Sequence, residues 1–275
     1  MVQVKVINDL SFLVQLNKSG VTHVLLHGFP DTKEVWLPVL DRMKQGSFVA
    51  PDLPSFGLSK MVDDAHMEVG VIADKIIDSL STLGIDSFSL VGHDWGGFIA
   101  WEIYSKVPQR VSSITLTNAT HPKVYSDLLK TSPMQGQIGK YAAFFTTAGA
   151  AARLMADQAK ALKLYHPFFA DEGPGSREFF EEKWRDSERV NAALGIYRAN
   201  FEKIVQGKVP SVKATVPVRV FWGKNDHSLV VDHIAGLEAY SLAGYSYELV
   251  EGGHWAFVEH ADAFCRFLES AHVGR

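Results

Sequence analysis

Ser89-Leu90-Val91-Gly92-His93-Asp94-Trp95-Gly96-Gly97-Phe98-Ile99-Ala100 changes character twice in a short span. An apolar run, Phe88 to Val91, stops at Gly92, and a helical pattern of small and apolar residues begins at Gly96. One acid stands between them. The pattern predicts a buried strand, a very tight turn and a helix, with Asp94 at the apex. The flanking glycines let the chain turn sharply and let the helix pack close to the strand. A carboxylate at the start of a helix is favoured by the helix dipole, so Asp94 is expected to be ionised and to face a cleft.

The neighbouring patterns extend this unit in both directions. Val2–Ile7 and Phe12–Leu16 alternate like an edge hairpin, and Val21–Leu26 is a continuous apolar run suited to a strand buried on both faces. A helix is expected over Val35–Met43, a strand at Phe48–Ala50, a helix over Glu68–Leu83 ending at Gly84, and a strand at Val111–Leu116. This alternation specifies an α/β fold, a mostly parallel sheet with helices on both faces. It stops near Pro122 and resumes at Val216–Trp222, followed by a helix from Val230, a strand Tyr245–Val250 and a helix Val258–His272. The intervening residues are mainly helical in pattern, with a break at Gly173-Pro174-Gly175. The expected organisation is a core of residues 1–121 and 214–275 with a helical cap inserted as residues 122–213, far longer than an ordinary crossover.

Composition narrows the function. The 275 residues carry a net charge of −4 and 47% apolar content, which gives no polyanion signal, so no nucleic-acid partner is expected. The one cysteine, Cys265, excludes a disulfide framework and a cysteine-based metal site. No metal and no cofactor are expected. Met1–Asn8 reads as a strand rather than an apolar leader, and the weakly charged run Tyr141–Ala152 is too short to cross a bilayer. A cytoplasmic protein without a membrane partner is expected, as monomer or homodimer.

In an open parallel sheet, function gathers at the carboxyl ends of the strands. Those ends carry His27-Gly28-Phe29-Pro30, Asp94-Trp95, Asp226 in Trp222-Gly-Lys-Asn-Asp226, and His254 in Gly252-Gly253-His254-Trp255. Asp94, Asp226 and His254 stand in the order nucleophile, acid, histidine. His254 is the residue type that polarises a water, and Asp226 is placed to fix its tautomer. His27 reads as a buttress of its loop and His93 as a packed neighbour of the turn.

These motifs, which span almost the whole chain, resemble the α/β-hydrolase-fold epoxide hydrolases and, nearly as closely, the haloalkane and haloacetate dehalogenases. Gly92-His93-Asp94-Trp95-Gly96 is similar to the nucleophile elbow G-x-S-x-G with Asp in the Ser position. The resemblance implies that the backbone N–H groups of Phe29 and Trp95 form an oxyanion hole. It also implies that two cap tyrosines act as acids, Tyr141 in Tyr141-Ala-Ala-Phe144-Phe145 and Tyr197 in Tyr197-Arg198-Ala-Asn-Phe-Glu202. Thr146–Gly149 departs from the family's Gln-x-Pro-Gly, and a late-cap Tyr-Arg-Ala also occurs in haloacetate dehalogenases.

The Asp-for-Ser exchange changes the chemistry. Attack by a carboxylate on an ester or amide would give an anhydride, whereas attack on an electrophilic sp3 carbon gives an alkyl ester on the enzyme. The expected substrate is therefore a small apolar electrophile, with water as co-substrate. Epoxide hydrolysis to a diol leads. Dehalogenation, a ligand-binding role and cofactor-free oxygenation are the alternatives. His27, Pro30, Trp36, Phe144, Phe145 and Trp255 are expected to line the pocket, and Phe168, Phe169 and Trp184 add further aromatic surface.

Overall fold

The computed structural model describes residues 2–17, 20–43, 46–156 and 185–270. Eight strands form one sheet: β1 (Gln3–Ile7), β2 (Leu10–Gln15), β3 (Thr22–Leu26), β4 (Ser47–Pro51), β5 (Phe88–His93), β6 (Val111–Thr117), β7 (Val218–Gly223) and β8 (Tyr245–Val250). Their order is β1-β2-β4-β3-β5-β6-β7-β8. β1 and β2 run antiparallel, and every pairing from β4 onward is parallel. The edge hairpin turns through Asn8 and Asp9, both at positive φ (50° and 65°), the backbone that a two-residue turn between twisted strands requires. That tight turn starts β2 at Leu10 rather than Phe12.

Alternation along the strands sorts the core into two layers. Val24, Leu26, Val49, Leu90, Val220 and Trp222 face one layer with Ile72, Ile76, Leu80, Ile99 and Trp101. Leu25, Phe48, Ala50, Val91 and Phe221 face the other with Trp36, Val39, Phe257 and Phe264. Full burial of one such side chain stabilises the fold by about 1.5–3 kcal/mol. α2 (Val69–Thr82) and α3 (Trp95–Lys106) cover the first face. α2 ends as its sequence predicts: Gly84 adopts φ 70°, Gly84 N–H bonds Ser81 O, and Ile85 N–H reaches back to Leu80 O.

Helix boundaries depart from expectation where a local group interrupts the ladder. The predicted Val35–Met43 helix is a 3-10 turn, Lys33–Trp36, followed by the short α1 (Leu37–Leu40). Pro38 has no N–H to continue a preceding α ladder and fits the first turn of a new helix. Between β6 and β7 the described helices are α4 (Pro122–Thr131), α5 (Pro133–Ile138), α6 (Lys140–Phe145), α7 (Ala150–Ala156), α8 (Ser187–Ala193) and α9 (Gly195–Val205). The short lengths follow from frequent caps: His121, Ser132 and Asp186 each accept a backbone N–H of the turn they open. Beyond β7 lies α10 (His233–Glu238), and the expected last helix is split at His260 into α11 (Ala256–Glu259) and α12 (Ala261–Ser270). Phe168, Phe169, Trp184 and the Gly173–Gly175 break lie outside the described residues.

α9 is fastened to the sheet-side chain by polar contacts. Arg198 donates two bonds to the Asp64 carboxylate (2.7 and 2.7 Å), and Asn200 bridges Val69 N–H (2.9 Å) and Met67 O (2.9 Å). The arginine that follows Tyr197 therefore anchors the helix that carries the tyrosine. Among the described residues, no helix is long and apolar enough to cross a membrane.

Candidate active site

Asp94 sits between the last residue of β5 and the first of α3, at φ 50° and ψ −120°. A non-glycine residue held there stores about 1–3 kcal/mol of strain, which the surrounding packing must offset. Two close approaches hold it. A Cβ on Gly96 would lie 2.0 Å from Leu26 O, so α3 rests directly on β3. A Cβ on Gly28 would lie 2.2 Å from Asp94 Oδ1, so the His27–Pro30 loop closes over the carboxylate. Phe29 N–H donates to Asp94 Oδ1 at 2.9 Å. Trp95 opens α3, so its N–H belongs to the first-turn set that has no partner within the helix.

His254 and Asp226 complete the arrangement. His254 Nε2 lies 3.6 Å from Asp94 Oδ2, and His254 Nδ1 bonds Asp226 Oδ2 at 2.8 Å. Nδ1 faces a carboxylate and so carries the hydrogen. Asp226 accepts three further bonds: Ser228 N–H (2.6 Å), Leu229 N–H (3.1 Å) and Asn118 Nδ2 (2.7 Å). Asn118, at φ 41° after β6, also accepts Gly223 N–H (2.9 Å) and so fixes the end of β7. Burial pushes the Asp226 carboxyl up, but His254 and these donors together hold it below the ordinary range. Burial pulls the His254 imidazole down, but the charges and hydrogen bonds of Asp226 and then Asp94 overcome it and raise it to about 10. The Asp94 side chain keeps 13% exposure against 1% for Asp226, so Asp94 is the carboxylate that a ligand can reach.

A buried polar layer ties the loops together beneath these residues. Leu53 N–H donates to His27 Nε2 (3.0 Å), which puts the ring proton on Nδ1, where it is donated to Gly28 O (2.8 Å). Burial lowers the His27 pKa, in keeping with that neutral ring. Asp31 accepts Trp255 Nε1–H (3.1 and 3.0 Å) and lies 3.2 Å from His93 Nδ1. His93 Nε2 donates to His254 O (3.0 Å). One buried network thus joins the Phe29 loop, the Asp94 turn and the His254 loop.

Above Asp94 lies a cavity of about 240 Å³. Phe29, His254, His227 and Ser228 line it from the sheet side, and Ile138, Tyr141, Phe145 and Tyr197 from α5, α6 and α9. The Tyr197 ring meets Trp95 (5.0 Å), Phe29 (5.4 Å) and Phe145 (4.9 Å) edge to face, and Tyr141 stands 5.5 Å from Phe145. An apolar wall with one reachable carboxylate, two histidines and two phenols suits an uncharged organic ligand.

The profile of the alpha/beta hydrolase fold matches residues 24–261. The chain belongs to that family. It is 26% identical over 249 residues to the AB hydrolase superfamily protein YfhM of Bacillus subtilis, covering 86% of this chain and 85% of that protein. It is 33% identical over 133 residues to epoxide hydrolase 3 of Xenopus tropicalis, covering 47% of this chain but 36% of that protein. A solved structure described as novel epoxide hydrolases of the alpha/beta hydrolases superfamily, from metagenomes of hot environments, superposes with a TM-score of 0.85 at 24% identity. That superposition covers 100% of this chain and 99% of the other.

In this hydrolase-fold chain Asp94, His254, Asp226, Phe29, Trp95, Tyr141 and Tyr197 lie close together. Of the expected pocket residues, Phe145 lines the cavity, and five lie elsewhere. Trp36 is buried on the other face of the sheet against Phe257 (4.5 Å), because its 3-10 turn faces that layer. His27 is enclosed by its loop bonds, and Pro30 borders a separate outer cleft with Ser55 and Arg189. Phe144 turns toward the Arg153 guanidinium (5.1 Å), and the Trp255 indole is held by Asp31. Asn118, Asp31, His227 and Ser228 were not among the expected site residues. The rule that function gathers at strand ends covers Asn118, and the positions directly after Pro30 and Asp226 cover the others.

Proposed function

We propose that the chain hydrolyses an epoxide to a vicinal diol through an alkyl ester on Asp94. The observation that carries this is an aspartate at the elbow apex, with Phe29 N–H on its carboxylate and His254 Nε2 3.6 Å away. Family membership supports hydrolytic activity, and the aspartate selects sp3 electrophiles over acyl groups. Helices α4–α9 act as a cap, as residues 122–213 of the sequence lead one to expect, and bring Tyr141 and Tyr197 to the cavity.

Asp94 attacks one epoxide carbon. The carbon–oxygen bond breaks, and the alkoxide takes a proton from Tyr141 or Tyr197. The product is an ester on Asp94 and a free hydroxyl. Alkylation removes the Asp94 charge, one of the influences that keep His254 protonated, so the imidazolium gives its proton, through solvent, to the tyrosinate and becomes able to act as a base. His254 then takes a proton from water as the oxygen adds to the ester carbonyl carbon. The resulting oxyanion is held by Phe29 N–H and Trp95 N–H. Collapse expels the diol oxygen, which takes the proton from His254. The regenerated Asp94 carboxyl gives its proton to His254, which restores the carboxylate and the imidazolium. The sum is epoxide plus water to diol.

Two phenols, rather than a second indole or amide N–H, face the cavity among its described residues, which favours ring opening over halide release. The test is a panel of epoxides and haloalkanes assayed separately for diol and for halide. Diol release alone is the expected result. Halide release without diol would overturn the epoxide reading.

A further inference from the structure

Asp94, Tyr141 and Tyr197 border a second space besides the main cavity. The main cavity lies on the Phe29 and His254 side and measures about 240 Å³. The second, on the Trp95 and Phe98 side, is a recess of about 30 Å³. A reacting carbon at Asp94 therefore has far more room for a substituent on the Phe29 and His254 side than on the Trp95 and Phe98 side.

Phe98 and Ile204 line the recess. Phe98 lies one turn after Asp94 on α3 and packs edge to face on Trp95 (5.3 Å) and on Tyr125 (5.8 Å). Ile204 of α9 stands with it and is 3% exposed. Both also line a further cavity of about 240 Å³, bordered by Glu68, Glu102, Lys203 and Lys208. Phe98 and Ile204 thus form a partition between the recess beside Asp94 and an outer chamber of the main cavity's size.

We propose that this partition makes the enzyme selective for terminal epoxides carrying a single apolar arm, with Phe98 the specificity-determining residue. The inference rests on the epoxide reading of Asp94. In a trans-1,2-disubstituted epoxide the two arms diverge, so one must enter the smaller recess that Phe98 lines. A terminal epoxide places its arm in the main cavity and leaves the recess to hydrogen.

The experiment compares two isomers of equal composition, 1,2-epoxyoctane and trans-4,5-epoxyoctane, by diol formation. The wild type should favour the terminal isomer in kcat/KM by about 100-fold, the scale that apolar-pocket discrimination reaches. Phe98→Ala should raise the internal-to-terminal ratio at least about tenfold by opening the recess to the outer chamber. Ile204→Ala should move the ratio the same way, and it serves if the first variant does not fold. The ratio is independent of how much of the preparation is active. Equal use of both isomers by the wild type would overturn the proposal, as would an unchanged ratio in both variants. Diol from neither isomer, with halide released from haloalkanes, would instead overturn the epoxide reading beneath it.

Discussion

The floor of the site and its roof are held by different physics. Asp94, Asp226 and His254 come from loops at the ends of β5, β7 and β8, and fixed hydrogen bonds orient their side chains. Asp226 alone accepts four. Tyr141 and Tyr197 come from helices of 6 and 11 residues and are set among aromatic rings. Hydrogen bonds fix angle and distance together, whereas ring packing tolerates rotation and small shifts. The two acids and the histidine stand at strand ends, and the two phenols stand on helices.

The floor should be the less forgiving region, and backbone substitution breaks the comparison most sharply. Gly96→Ala would drive a methyl group to 2.0 Å from Leu26 O and should abolish the folded state. Gly149→Ala, at φ 74° with no atom within 4 Å, meets only the left-handed backbone penalty of about 1–2 kcal/mol. Urea unfolding of the two variants checks this; similar losses would remove the distinction.

Next in size are the roof tyrosines. Tyr141→Phe and Tyr197→Phe should each slow ring opening, and the double variant should lose about 10²–10⁴-fold, the worth of a general acid. Single variants should lose less where one phenol substitutes for the other. Single-turnover alkylation rates measure this, and a fully active double variant would remove the phenols from the mechanism.

A third effect concerns charge in the floor. The His254 pKa is raised above its usual 6.5 to about 10, so its stabilising contribution is complete below 6.5 and is lost as pH rises through about 10. Asp226 is lowered, so its contribution is present above its usual 3.8 and is lost as pH falls into the acid range. Thermal unfolding from pH 7 to about 10 should therefore fall more steeply in the wild type than in His254→Gln. Parallel curves would mean that the imidazole gains nothing from its neighbours.

The floor was also the more legible region. Gly92, Gly96 and the acid between them specify a turn by steric exclusion, which a sequence carries directly. The order of Asp94, Asp226 and His254 follows the order of strand ends. The Tyr141 and Tyr197 positions came from resemblance rather than from periodicity, since tyrosine on an amphipathic helix packs equally well anywhere on its apolar face. The pocket assignments failed for a related reason. Trp36, Phe144 and Trp255 are large and aromatic, but which face they take depends on where a 3-10 turn or a short helix starts, here decided by Pro38, Arg153 and Asp31. Asn118 escaped notice because its two roles, toward Asp226 and toward Gly223, join residues more than a hundred positions away.

The central claim is that Asp94 carries the substrate as an ester that His254 releases. His254→Gln keeps the nucleophile but cannot take a proton from water, so the ester should accumulate. Intact-protein mass spectrometry after mixing this variant with an epoxide that the wild type hydrolyses should show a gain of the entire substrate mass. Peptide mapping should locate it on the peptide that contains Asp94. An adduct on another peptide, or no adduct at all despite wild-type turnover of the same epoxide, would contradict the account.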